Sequence, residues 1–170
     1  ASAHRQCTRY LVTDFGATYM DAVERCSFGV GNGSLDRGVL RADFSKTDTV
    51  SLSHSLSIFG KPVTLLLTVE ADRAAEGAEV EMDIGSQFQT FRRVIGTFAA
   101  PVLKSGIICQ TFAVPAPPDR SWSHSGGDNN GAAAYPLRLN CLRVKRANAA
   151  AKPVAIRLVS LEAETFLTGS

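Results

Sequence analysis

Short apolar runs of period two, broken every few residues by turn formers, constrain this chain more than anything else in it. Gly77–Ile84 reads GAEVEMDI, with Val80, Met82 and Ile84 on one side and Glu79, Glu81 and Asp83 on the other. Thr49–Ile58 reads TVSLSHSLSI and alternates in the same way, so that Val50, Leu52, His54, Leu56 and Ile58 share a face. Pro62–Glu70, Gly106–Val114, Tyr135–Arg146 and Pro153–Ala163 are richer in β-branched and large apolar residues and are bounded by Gly, Pro, Asn or Asp. Successive strand residues point to opposite faces, so this pattern specifies strands, half-wetted in the first two cases and more central in the others. Arg9–Phe15 and Gly38–Phe44 also read as strands. Ala17–Arg25 has room for two helical turns, and Ala71–Gly77 reads as a turn or short helical bend. Many short strands with almost no helix predict a sandwich or a barrel.

With 170 residues and neither internal repeat nor linker, the chain reads as one domain over 1–170, its core roughly 9–166. That is long enough to bury a core without metals or disulfides. Basic and acidic residues number 18 and 16. This balance argues against a nucleic-acid partner, which calls for a concentrated basic face. No apolar run approaches the ~20 residues of a membrane span, so no membrane partner is expected. The segment Ala1–Tyr10 has no apolar signal core. Cys7, Cys26, Cys109 and Cys141 form no C-x-x-C pair; they read as small buried hydrophobes, with two disulfides left arithmetically open.

Catalytic signatures are missing from the sequence: there is no G-x-S-x-G, H-E-x-x-H or P-loop. Glu79 and Glu81 lie ~7 Å apart along one strand face, nominally suited to a glycosidase pair. Neighbouring strand carboxylates are common in proteins without activity, and the expectation is that the chain is not an enzyme. His54 reads as a packing residue, and His124 is the one loop-borne candidate for acid–base work.

The twenty-residue polar segment Pro115–Ala134 (PAPPDRSWSHSGGDNNGAAA) is long for a compact domain, and loops of that length are often functional. It holds Trp122, the single tryptophan, with Arg120, His124, Asp128, Asn129 and Asn130 close by. An exposed indole stacks on the C–H face of a sugar ring while polar neighbours take the hydroxyls. A tryptophan in such a loop also folds back to cap a core, giving its N–H a partner. Glu79, Glu81, Gln89 and Arg92 offer a second ligand-binding surface on a sheet face, or an ordinary polar surface of cross-strand pairs. Arg138, Arg143, Lys145, Arg146, Lys152 and Arg157 form a basic group towards the C-terminus, suited to an acidic polysaccharide or to the guarding of sheet edges.

The serial order of these pieces resembles the galactose-binding-domain-like β-sandwiches found as carbohydrate-binding modules beside bacterial glycoside hydrolases. Leu11–Gly16 (LVTDFG) resembles the opening strand with Asp-Phe. Gly60–Asp72 (GKPVTLLLTVEAD) and Gly77–Phe88 (GAEVEMDIGSQF) resemble the central strand and hairpin. Ser121–Gly131 followed by Pro136–Val144 resembles the Trp, Gly-Gly and Pro-Leu segment, and Val154–Glu164 the closing strand. The resemblance implies a jelly-roll of two antiparallel sheets. It also implies a non-catalytic module that binds a polysaccharide or oligosaccharide for the catalytic domain of a parent enzyme, and a secreted or cell-surface location. The alternative is a structural interdomain sandwich with no sugar site. Modules of this kind often carry a structural calcium, for which Asp14, Asp72 and Glu162 are the matching carboxylates.

Overall fold

The computed structural model describes residues 7–16, 28–100, 106–126 and 132–166. Twelve strands run through them: β1 (Cys7–Thr13), β2 (Gly29–Gly31), β3 (Gly33–Asp36), β4 (Val39–Asp43), β5 (Thr49–Ile58), β6 (Thr64–Ala71), β7 (Glu79–Ser86), β8 (Gln89–Thr97), β9 (Ile108–Pro115), β10 (Ser123–Gly126), β11 (Leu137–Lys145) and β12 (Pro153–Phe166). The only helical element among the described residues is a single 3-10 turn, Arg73–Ala75. It falls within Ala71–Gly77, where the bend was expected.

The strands form two antiparallel sheets. Sheet I has the order β3-β4-β12-β6-β9, and sheet II the order β10-β8-β7-β11-β5-β2. The fourteen-residue β12 organises sheet I. Its first part pairs with β4 and its last part with β1, while β6 runs along its other side. In sheet II, β7 and β11 are central, with Leu142 facing Met82 on β7 and Leu52 on β5. The expected all-β sandwich of two antiparallel sheets is therefore the observed fold.

Period-two patterning decides which atoms meet between the sheets. Leu65, Leu67 and Val69 of sheet I, with Ile156, Leu158 and Leu161, face Val80, Met82 and Ile84 of sheet II, with Leu139, Leu142 and Val144. All of these are at most 2 % exposed. Phe15, Phe44, Phe91 and Phe98 are the largest fully buried side chains among the described residues. Gly96 is where backbone yields to side chain: a Cβ there would collide with the ring of Phe112 across the sandwich.

The eight strands read from the sequence are present, Thr49–Ile58 with unchanged bounds. β8 was only partly legible, because Phe91-Arg92-Arg93-Val94 breaks the alternation and the β7–β8 pairing shifts register between Val80 and Glu81. The helical expectation for Ala17–Arg25 lies outside the described residues. Cys109 and Cys141 are free thiols on opposite sheets. Cys109 corrects the expectation of burial, since it is exposed on β9 at a position facing away from the core, and Cys141 is half-buried.

Candidate functional site

The Trp122 loop is pinned rather than open. Asp119 accepts the backbone N–H and the hydroxyl of Ser121 at 2.9 and 2.5 Å, and these bonds hold its carboxyl below the usual carboxylate range. Arg93 reaches the same hydroxyl at 2.7 Å. The turn delivers Trp122 inward. Its ring is 4 % exposed within the core cluster, and Nε1 donates to the Pro115 carbonyl at 2.7 Å. The indole therefore offers no face for stacking and acts as a cap on the core. Arg120 is exposed beside it, and His124 is exposed on β10 with its ring 6.2 Å from that of Phe91. Asp128, Asn129 and Asn130 lie outside the described residues. Gln89 is 3 % exposed and donates from Nε2 to the Ala132 carbonyl. It ties the end of the long segment to β8 and is not a surface contact.

On the outward face of β7 the structure shows the second alternative, cross-strand pairs, with the acids set deep among their partners: Glu81 and Asp83 are 8 % and 6 % exposed. Arg92 grips Asp83 through Nε and Nη2 at 2.8 and 3.1 Å. Arg143 grips it from the other side through Nη1 and Nη2 at 3.0 and 2.5 Å. Arg143 Nε and Lys145 Nζ then hold the two oxygens of Glu81 at 2.9 and 3.1 Å. Burial pushes the Glu81 pKa up, but the hydrogen bonds and charges of Arg143 and Lys145 outweigh it, and the carboxyl sits below its usual range. Two forked arginines on one carboxylate are the geometry in which buried charge is best compensated. Glu79, at the start of β7, is half-buried.

The three carboxylates matched to calcium do not meet. β6 pairs with β12 so that Ala71 faces Ile156 and Leu66 faces Glu162. This puts Asp72 and Glu162 about 20 Å apart along the strands. Calcium needs its oxygens within 2.3–2.6 Å. Asp14 follows Thr13, which faces Leu161 at the Glu162 end. Asp72 is engaged elsewhere, accepting the Ala155 N–H at 2.9 Å. Among the described residues no three metal-capable side chains gather, so these residues do not fit a shared ion.

The sequence reading missed a cleft at the end of the sandwich where β5 stops, β11 starts and β12 finishes. It has a volume of about 620 Å³ and is lined by Phe59, Lys61, Val63, Tyr135, Thr165 and Phe166, among others. Phe59 is 82 % exposed, and Tyr135 and Phe166 show more than a third of their surface. The rings are held in place. Tyr10 packs edge-on against Phe59 at 6.4 Å and donates its hydroxyl to the Phe59 carbonyl. Lys61 Nζ stands 5.3 Å over the Tyr135 ring. Thr165 Oγ1 donates to the Lys61 carbonyl at 3.0 Å. Phe88, also 82 % exposed, tips the β7–β8 turn at the same end, because Gly85 pairs with Arg138 as Ser57 does. Phe88, Tyr135 and Phe59 thus end three neighbouring strands, about 10 Å across. The available signal was an aromatic one residue beyond a strand whose own inward positions were already filled, as in Ile58-Phe59.

No protein-family model matches the sequence, and no curated protein sequence matches it. Among solved structures, the carbohydrate recognition domain of Emp46p in its metal-free form is similar at 11 % identity and a TM-score of 0.45, with 91 % of this chain and 95 % of that one covered. The mannan-recognising carbohydrate-binding module TmCBM27 is similar at 11 % identity and a TM-score of 0.40, covering 94 % and 99 %. A family 29 carbohydrate-binding module solved with cellulohexaose is similar at 11 % identity and a TM-score of 0.37, covering 96 % and 94 %. No helix among the described residues is long and apolar enough to cross a membrane.

Proposed function

We propose that this chain is a non-catalytic carbohydrate-binding module. The observation that carries the reading is the aromatic cleft. Phe59, Tyr135 and Phe166 present ring surface to solvent beside Lys61 and Thr165, a combination of apolar faces and hydrogen-bonding groups suited to a pyranose. A shallow site of this kind gives modest affinity. Its use is to keep a polysaccharide near a tethered glycoside hydrolase, raising the local substrate concentration, in a secreted or cell-surface protein. A non-catalytic role agrees with the state of Glu81, whose carboxyl is committed to two cations and held below its usual range. A general acid needs the opposite shift.

The test is calorimetry and affinity electrophoresis against soluble β-glucans, xylans, mannans and uronate polymers, with wild type and Phe59→Ala/Tyr135→Ala. Saturable binding to one class, lost in the variant, supports the module. A second reading, a structural interdomain sandwich, is favoured by the buried Trp122 together with the exposed Phe59, Phe88 and Tyr135. It predicts no glycan binding by either protein.

A further inference from the structure

We infer that the outward face of sheet II is an anion-binding surface and that the glycan this module takes is polyanionic, carrying carboxylate or sulfate groups; the inference rests on the carbohydrate-binding reading above. The evidence is the inversion of charge on β7. The two buried acids at the centre of the face, Glu81 and Asp83, are met by three cations, Arg92, Arg143 and Lys145. Arg138 adds a fourth on the same strand as Arg143, and Glu79 is the one further acid on β7. The acids lie beneath with Arg143, and Arg92 and Lys145 are the more exposed cations. Arg92 and Lys145 keep 54 % and 38 % of their side chains exposed, against 8 % and 11 % for the carboxylates they hold.

The buried acids engage all three guanidinium nitrogens of Arg143 but fix Arg92 and Lys145 without exhausting their donors. Arg92 spends Nε and Nη2 on Asp83, and Nη1 takes no part in that pair. Lys145 spends one N–H on Glu81 and has two more. Arg138 donates from Nη1 to Ser55. A guanidinium clamped by a carboxylate has little rotamer freedom left to lose, so a second anion bound to it meets a prepaid ordering cost. Beside these cations, β5 carries Ser51, Ser53, Ser55 and Ser57 in a stripe paired to β11, with Ser51 opposite Arg143 and Ser57 opposite Arg138. Their hydroxyls suit sugar hydroxyls.

The face is continuous with the aromatic cleft. Ser57 and Arg138 pair one step before the strand ends that release Phe59 and Tyr135. Among the described residues, the one charged side chain lining that cleft is Lys61. A chain leaving the cleft across sheet II would pass Lys61, then the levels of Arg138, Arg92, Arg143 and Lys145 in turn. A neutral polysaccharide has no use for that sequence of charges. One bearing an anion on each or alternate residues does.

The experiment is calorimetry of the whole chain with polygalacturonate oligomers, the same oligomers fully methyl-esterified, sulfated oligosaccharides, neutral mannan and glucan oligomers, and duplex DNA at matched charge. The expected result is binding of an anionic oligomer that weakens with salt, by about tenfold or more on esterification. Arg92→Gln, Lys145→Gln and Arg138→Gln should each weaken it by about threefold, the scale of an exposed charge contact, while melting temperatures report whether the fold is intact. Carboxylated and sulfated oligomers separate the two sources of the anion. Neutral oligomers binding as tightly as acidic ones, unaffected by the three substitutions, would overturn the inference while leaving the sugar-binding reading in place. Binding of no glycan at all would overturn both. DNA binding as tight as that of the best glycan would overturn the inference in favour of unspecific cation attraction.

Discussion

Replacing Arg143 by Met tests whether the charge network on sheet II holds the fold as well as a ligand. Arg143 is 17 % exposed at its side chain and, among the described residues, alone bridges both carboxylates. Breaking a buried ion pair by removing one partner costs about 3–5 kcal/mol. Here each carboxylate keeps one partner, Arg92 on Asp83 and Lys145 on Glu81, and Met retains most of the packing volume. A loss of about 2–3 kcal/mol follows, which for a chain of this length is roughly 5–10 °C in melting temperature. The loss should depend on pH. Glu81 titrates below its usual range, so its contribution is fully present above the unfolded-state value of about 4.3 and disappears as pH falls through the lower folded-state value. Thermal melts from pH 7 down to pH 3 should therefore show the gap between wild type and Arg143→Met closing with acid. A gap below about 1 °C at pH 7, or one that widens with acid, would refute the reasoning and mean that water already screens the network.

The native emission of Trp122 should be blue-shifted and protected from iodide, because the ring is 4 % exposed and its N–H is bonded; it should also stay flat during glycan titrations. Trp122→Ala should lower stability by about 3–5 kcal/mol, measured by urea unfolding. Gly77→Ala should cost about 2–3 kcal/mol in the same assay, since Gly77 has φ +89° and a Cβ would lie 2.8 Å from the Asn148 carbonyl oxygen.

The strands were legible because alternation is enforced wherever one face must be dry: β5 and β7 announce themselves through Val50-Leu52 and Val80-Met82-Ile84. The short β2, β3 and β10 were not, because strands of three or four residues with no buried position carry no such constraint. The site was less legible, for two physical reasons. Whether Trp122 faces in or out depends on the Asp119–Ser121 turn and on the reach of Nε1 to Pro115 (tertiary facts with no local signature). The acidic residues of β7 were visible, but their partners lie on β8 and β11. Only the register that sets Asp83 beside Arg92 and Glu81 beside Arg143 reveals that each acid is paired with a basic residue. The cleft joins Phe59, Tyr135 and Phe166, which are more than thirty residues apart in sequence and are brought together by the ends of β5, β11 and β12.

The most direct test of the account is a titration of the protein, carrying isotope-labelled Phe and Tyr rings, with the best-binding oligosaccharide of the panel, followed by aromatic NMR. Ring signals of Phe59, Tyr135 and Phe166 should move saturably and together, with the Trp122 indole N–H unmoved. Movement of the Trp122 signal with the cleft rings silent, or no ring movement at saturating glycan, would contradict the claim that this cleft is where the sugar binds.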